Sequence, residues 1–159
     1  TANCAAALAR RGDETIAPLI VEKHDALEKT RANAFALTEL KASLYALAGP
    51  SQLDWLRKTL AQATDYVERW LFLATICRIA SKDDSALIAS EVEAYLAAPM
   101  GQINLVTRGV SIPFRNVFQA GMAYLRRTDP ARFEALAVRA HAAKLPKEDR
   151  EFLASLVKA

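Results

Sequence analysis

Glycine, proline and cysteine are scarce in this 159-residue chain, with five Gly, six Pro and two Cys. Few Gly-rich turns, together with only 8 Val and 7 Ile, argue against a sheet protein, which needs tight turns and β-branched residues. Two cysteines are too few for a disulfide framework. Long apolar runs are also missing. The strongest, Trp70 to Ala80, is broken by Thr75 and Arg78. A membrane-spanning helix needs about 18 or more apolar residues, so this run reads as a buried helix and no membrane span is expected. Charge of one sign is not dominant either: 21 Lys+Arg against 18 Asp+Glu leave a net charge of +3. So mild a balance does not by itself imply nucleic acid.

What the chain has in abundance is 32 Ala and 20 Leu, within a hydrophobic fraction of 52%. That excludes a disordered chain and favours helices. The length suits one domain with a sizeable core, expected over residues 13–158, with 1–12 an N-terminal extension or a frayed first helix. Two isolated thiols suit the cytoplasm, the expected location. The first residue is Thr rather than Met, which fits a processed chain, periplasmic or secreted, or a piece of a longer protein.

Punctuation along the chain predicts about eight helices. Residues 13–23 read as a short helix capped by Asp13, and residues 26–48 as a long one with a stripe at Leu37, Leu40, Leu44 and Leu47. Gly49-Pro50 ends it, with Gly49 expected in the left-handed C′ conformation. Ser51 and Asp65 read as caps of the next two helices, the second spanning 65–80. A helix over 85–97 follows. Pro99 to Pro113 reads as a short helix or turn and then an irregular link. Helices over 113–127, 130–143 and 147–157 complete the chain, with Asp129-Pro130 a strong start for the second.

Segments 43–56, 75–88 and 122–133 share one layout: a helix end, a polar turn and a capped new helix. Taking Leu47, Ile79 and Leu125 as equivalent gives spacings of 32 and 46 residues. The chain thereby resembles a short α-solenoid of the HEAT or tetratricopeptide kind, whose periods are about 34 and 40–47 residues. The tetratricopeptide Trp, Gly, Tyr and Pro positions are not matched in series. The expected fold is therefore all-α: antiparallel helical hairpins in a short right-handed solenoid or an irregular bundle.

Catalytic and metal motifs are lacking. There is no His-Glu-x-x-His, Cys-x-x-Cys, Gly-x-Ser-x-Gly or phosphate-cradling Gly loop. His24 and Glu28 are spaced i,i+4, but two ligands make a poor metal site. His141 reads as a surface histidine and Cys77 as a buried structural thiol. Asp83-Asp84 suits a helix start, and Glu91 and Glu93 point to different helix faces. Trp55, Tyr66, Trp70 and Phe72 read as core aromatics. No metal, no cofactor and no enzymatic activity are expected.

One segment is less ordinary. Ala94 to Thr128 contains no acidic residue but holds Arg108, Arg115, Arg126 and Arg127, with Arg132 and Arg139 soon after. Arginine suits bidentate contacts to carboxylate or phosphate. A more buried segment would also lack acids. The expected function is a non-enzymatic interaction or scaffold domain that binds a protein partner, one with an acidic surface, through a helical face. Arg108, Arg115 and Gln119 are expected to border that surface, with Arg126 and Arg127 beside them. The alternatives are a phosphate-bearing ligand or nucleic acid held by the arginines of 108–139, and an enzyme with an unrecognised helical site.

Overall fold

The computed structural model describes residues 14–30, 34–104 and 110–158. They form eight α-helices and no strand: α1 Ala17–Lys29, α2 Ala34–Leu47, α3 Leu53–Gln62, α4 Tyr66–Ile79, α5 Ser85–Ala97, α6 Val117–Thr128, α7 Pro130–Ala142 and α8 Lys147–Lys158. The all-α expectation holds, and no described helix is long and apolar enough to cross a membrane. The helices group into two compact units, α1–α4 and α5–α8.

In the first unit, the boundary between α1 and α2 differs from the sequence reading. The helix expected over 13–23 runs on to Lys29, where Thr30 caps it and its hydroxyl turns back to the carbonyls of Ala26 and Leu27. The helix expected over 26–48 therefore starts only at Ala34. The Thr30 hydroxyl donates to two carbonyls of the last turn of α1, a local interaction that apolar spacing does not report. Gly49 also departs from expectation. Its φ is −117°, extended rather than left-handed, and its N–H donates to Gln52 Oε1 at 2.8 Å. Gln52, not Ser51, thus anchors the start of α3. Asp65 caps α4 as expected, accepting from Glu68 N at 3.0 Å. Helix α4 packs on both α2 and α3. It buries eight consecutive residues from Trp70 to Cys77, with Leu73 and Ile76 fully enclosed.

In the second unit, α6 is the hub, touching α5, α7 and α8. Phe118, Met122 and Leu125 of α6 are buried, as are Ile88 and Val92 of α5 and Leu136 of α7. A Cβ on Gly121 would lie 2.3 Å from Val92 Cγ2 and 3.4 Å from Ile88 Cγ2, so glycine is what lets α5 and α6 approach this closely. Asp129 caps α7 through Arg132 N at 3.3 Å, with Pro130 next, as expected. Helix α6, however, starts at Val117 rather than 113, because Asn116 is extended and its side chain caps Gln119 N at 2.9 Å. The described parts of the 99–113 link are irregular.

Candidate functional site

The shift in the start of α6 relocates the expected partner residues. Arg115 lies before the helix, exposed, so it shares no helical face with Gln119. Gln119 itself is only 5% exposed and points inward. Its Oε1 accepts from Arg115 N at 3.0 Å and its Nε2 donates to Asp149 Oδ1 at 3.0 Å. The placement of Gln119 on a binding surface is thus corrected: its amide is engaged inside the unit. Arg126 and Arg127 close the last turn of α6, with Arg127 over the Tyr124 ring. At about 1.5 Å per residue, the helix rises about 14 Å from its start at Val117 to this pair, so Arg115, which precedes it, lies at the opposite end. Arg132 pairs with Asp129 and Arg139 with Glu93, whereas Arg115 and Arg126 make no ion pair among the described residues. Arg108 lies outside the described residues. The described arginines thus do not converge on one small site.

Asp149, in the first turn of α8, is fully buried and was not singled out by sequence reading. Its carboxylate accepts from Asn116 Nδ2 at 2.8 Å and from Gln119 Nε2, while Tyr95 OH hydrogen-bonds its other oxygen. The Tyr95 hydroxyl also contacts the Met100 carbonyl. The network ties α5, α6, α8 and the irregular link together, and it gives both carboxylate oxygens a hydrogen-bond donor. A buried carboxylate this fully partnered is a structural clamp.

Two larger concavities are lined by the described residues. The first, in the second unit, is a groove of about 510 Å³ between α7 and α8. Phe133 and Ala137 form its buried floor, and Arg126, Glu134 and His141 supply its polar lining. Val138 and Val157 line it too, although they are 73% and 59% exposed. The outward valines lie where the helical stripes of α7 and α8 end, a signal that the sequence reading passed over.

The second concavity is a polar cleft of about 410 Å³ in the first unit. At its base His24 is 2% exposed, edge-on to Trp55 and Phe72 with ring centroids 5.2 and 6.0 Å away. His24 Nδ1 lies 3.4 Å from Asp25 Oδ1, and Trp55 Nε1 donates to both oxygens of Asp25 at 3.2 and 3.3 Å. Nε2 makes no hydrogen bond; its nearest charged neighbour is Glu28 Oε1 at 3.9 Å. Glu68, from α4, completes a group whose ligand atoms all lie within 4.8 Å of one another. Lys41 of α2 reaches into the same group, pairing closely with Glu68 and lying 3.6 Å from Glu28. Burial lowers the His24 pKa from 6.5; the bond to Asp25 opposes this and the Lys41 charge adds to it. The imidazole is therefore neutral near pH 7. Sequence spacing shows the His24–Glu28 pair; Glu68 and Lys41 arrive only through tertiary packing of α2 and α4.

Comparison with protein-family models, with curated proteins and with solved structures finds no match for this chain.

Proposed function

We propose that this chain is a non-enzymatic helical interaction domain, and that the groove between α7 and α8 takes an amphipathic helix of a protein partner. The observation that carries this reading is the pair of outward valines, Val138 and Val157, at the edges of a concavity floored by Phe133. Single exposed apolar side chains are ordinary, but apolar side chains gathered around a concavity are an interaction patch. A groove of this kind suits helix-in-groove recognition, in which anchors at i, i+3 or i+4 and i+7 fill apolar subsites. Arg126 stands at the lining without an ion pair among the described residues, so a partner helix with a carboxylate beside its apolar stripe is the complementary one. This keeps Arg126 from the expected acidic-partner surface and drops Gln119. The succession of short antiparallel-type hairpins supports placing the chain with helical repeats of the HEAT or tetratricopeptide kind, which commonly bind partners. The separation of Arg115 from Arg126 and Arg127, and the pairing of Arg132 and Arg139, favour a protein partner over a phosphate-bearing ligand.

A photo-cross-linking residue placed at 138 or 157 tests the proposal, with the same residue at exposed Lys58 of α3 as control. The partner captured at 138 and 157 but not at 58 is then purified, and its affinity is measured. The Val138→Asp/Val157→Asp double variant should bind about a hundredfold more weakly at unchanged melting temperature, and Arg126→Glu about tenfold more weakly. Equal capture at all three positions, or unchanged affinity of the double variant, would refute it.

A further inference from the structure

We infer that His24, Glu28 and Glu68 form a binding site for a divalent transition-metal ion, for which Lys41 is a built-in competing cation. This does not depend on the groove reading above. Two independent observations meet here. One is the gathering of one imidazole and two carboxylates, with ligand atoms within 4.8 Å of one another. The other is that the His24 side chain, 2% exposed, has an Nε2 that makes no hydrogen bond and faces these carboxylates. A buried histidine nitrogen without a partner is costly unless something occupies it.

The tautomer supports the same conclusion. Asp25 lies beside Nδ1 and is itself held by the Trp55 indole. A carboxylate at one ring nitrogen keeps the proton there and presents the other nitrogen's lone pair, the arrangement that orients metal-bound histidines. One nitrogen and two carboxylate oxygens suit zinc and its neighbours, which take ligand bonds of about 2.0–2.2 Å. Ligand atoms would then be about 3.3 Å apart, closer than here. Glu28 is half-exposed and Glu68 partly exposed, so both can rotate inward. His24 is fixed by its two aromatic neighbours.

Lys41 defines how the site works. Its ammonium lies between the two glutamates and over the Phe72 ring at 5.6 Å. It neutralises the pair of carboxylates without the metal, so the cluster does not repel itself. A dication that also gains the His24 lone pair displaces the ammonium, which has no bond to His24 to lose.

Zinc chloride titrated into the full chain by calorimetry tests this. One site is expected. His24→Gln and Glu68→Gln should each weaken it about a hundredfold, Asp25→Asn about tenfold, and His141→Gln not at all. Lys41→Met should tighten it about tenfold, because the competing charge is gone. A merely structural ion-pair cluster predicts no binding in the wild type or in K41M. Should a variant fail to fold, the His24 ring ¹⁵N signals of the wild type decide. Zinc must move Nε2 of His24 and leave His141 unchanged; a response at His141 alone, or weaker binding by K41M, overturns the site.

Discussion

Each unit buries a polar cluster, one around Asp149 and one around His24, and the two clusters are built on opposite terms. Asp149 in the second unit receives hydrogen bonds from Asn116 and Gln119 and contacts the Tyr95 hydroxyl, three neutral groups from two helices and a cap. His24 in the first unit is just as buried, yet one ring nitrogen has no partner and its neighbours are charged. A satisfied network specifies a fold; an incomplete one retained inside a core carries an energetic cost that a ligand can offset. Burial alone therefore does not distinguish the Asp149 centre from the His24 centre; the unpartnered Nε2 of His24 does.

The contrast breaks most visibly at Asp149. Replacing it with Ala should cost about 3–5 kcal/mol in urea denaturation, since Asn116 and Gln119 lose their shared acceptor inside a packed unit. A loss below about 1 kcal/mol would mean that the network is incidental. Next in size is Gly121→Ala, on the helix that carries Gln119. Alanine gains about 1 kcal/mol of helix propensity, but its Cβ would meet the stiff Val92 side chain at 2.3 Å. Overpacking should win, with a net loss of about 1–3 kcal/mol, read from the same denaturation curves.

Substitutions at His24 sharpen the other side. Without metal, His24→Gln should cost only about 1 kcal/mol, the loss of its two edge-on ring contacts. Its clearest signature is in pH. The folded pKa lies below the unfolded value of 6.5, so protons bind the unfolded chain more readily. The stabilisation is complete above pH 6.5 and falls away as pH drops below it. H24Q should flatten that part of the stability–pH curve, and an unchanged curve would assign the slope to other groups. The smallest effect is expected at Cys77, buried on α4 nine residues after Glu68. A thiol reagent should label it only at the rate at which the unit opens, and fast native labelling would show that the core beside the cleft is not closed.

The helical class was legible because Ala and Leu dominate and because caps such as Asp65 and Asp129 act within three residues of themselves. Local signals of that range survive in any tertiary setting. The errors came from the same range. Asn116 moved one helix start by capping Gln119 N, and that move took Arg115 off the face assigned to it. Neither polar centre was visible in full. Asp149 gathers Tyr95 and Asn116 across 54 and 33 residues, and His24 meets Glu68 across two intervening helices. Spacing rules see i,i+4, so they found Glu28 and stopped there. The acid-free stretch had a plainer cause in part: Val117 to Met122 are all buried, and a carboxylate there would need its own partners.

The most direct test of the contrast is crystallographic. Crystals of the chain soaked in zinc chloride and measured at the zinc edge should show one anomalous peak about 2.0–2.2 Å from His24 Nε2, with Glu28 and Glu68 turned onto it and Lys41 displaced. The Asp149 centre should be unchanged in the same crystals. No peak at His24, or a lysine still paired with both glutamates beside a metal bound elsewhere, would contradict the account.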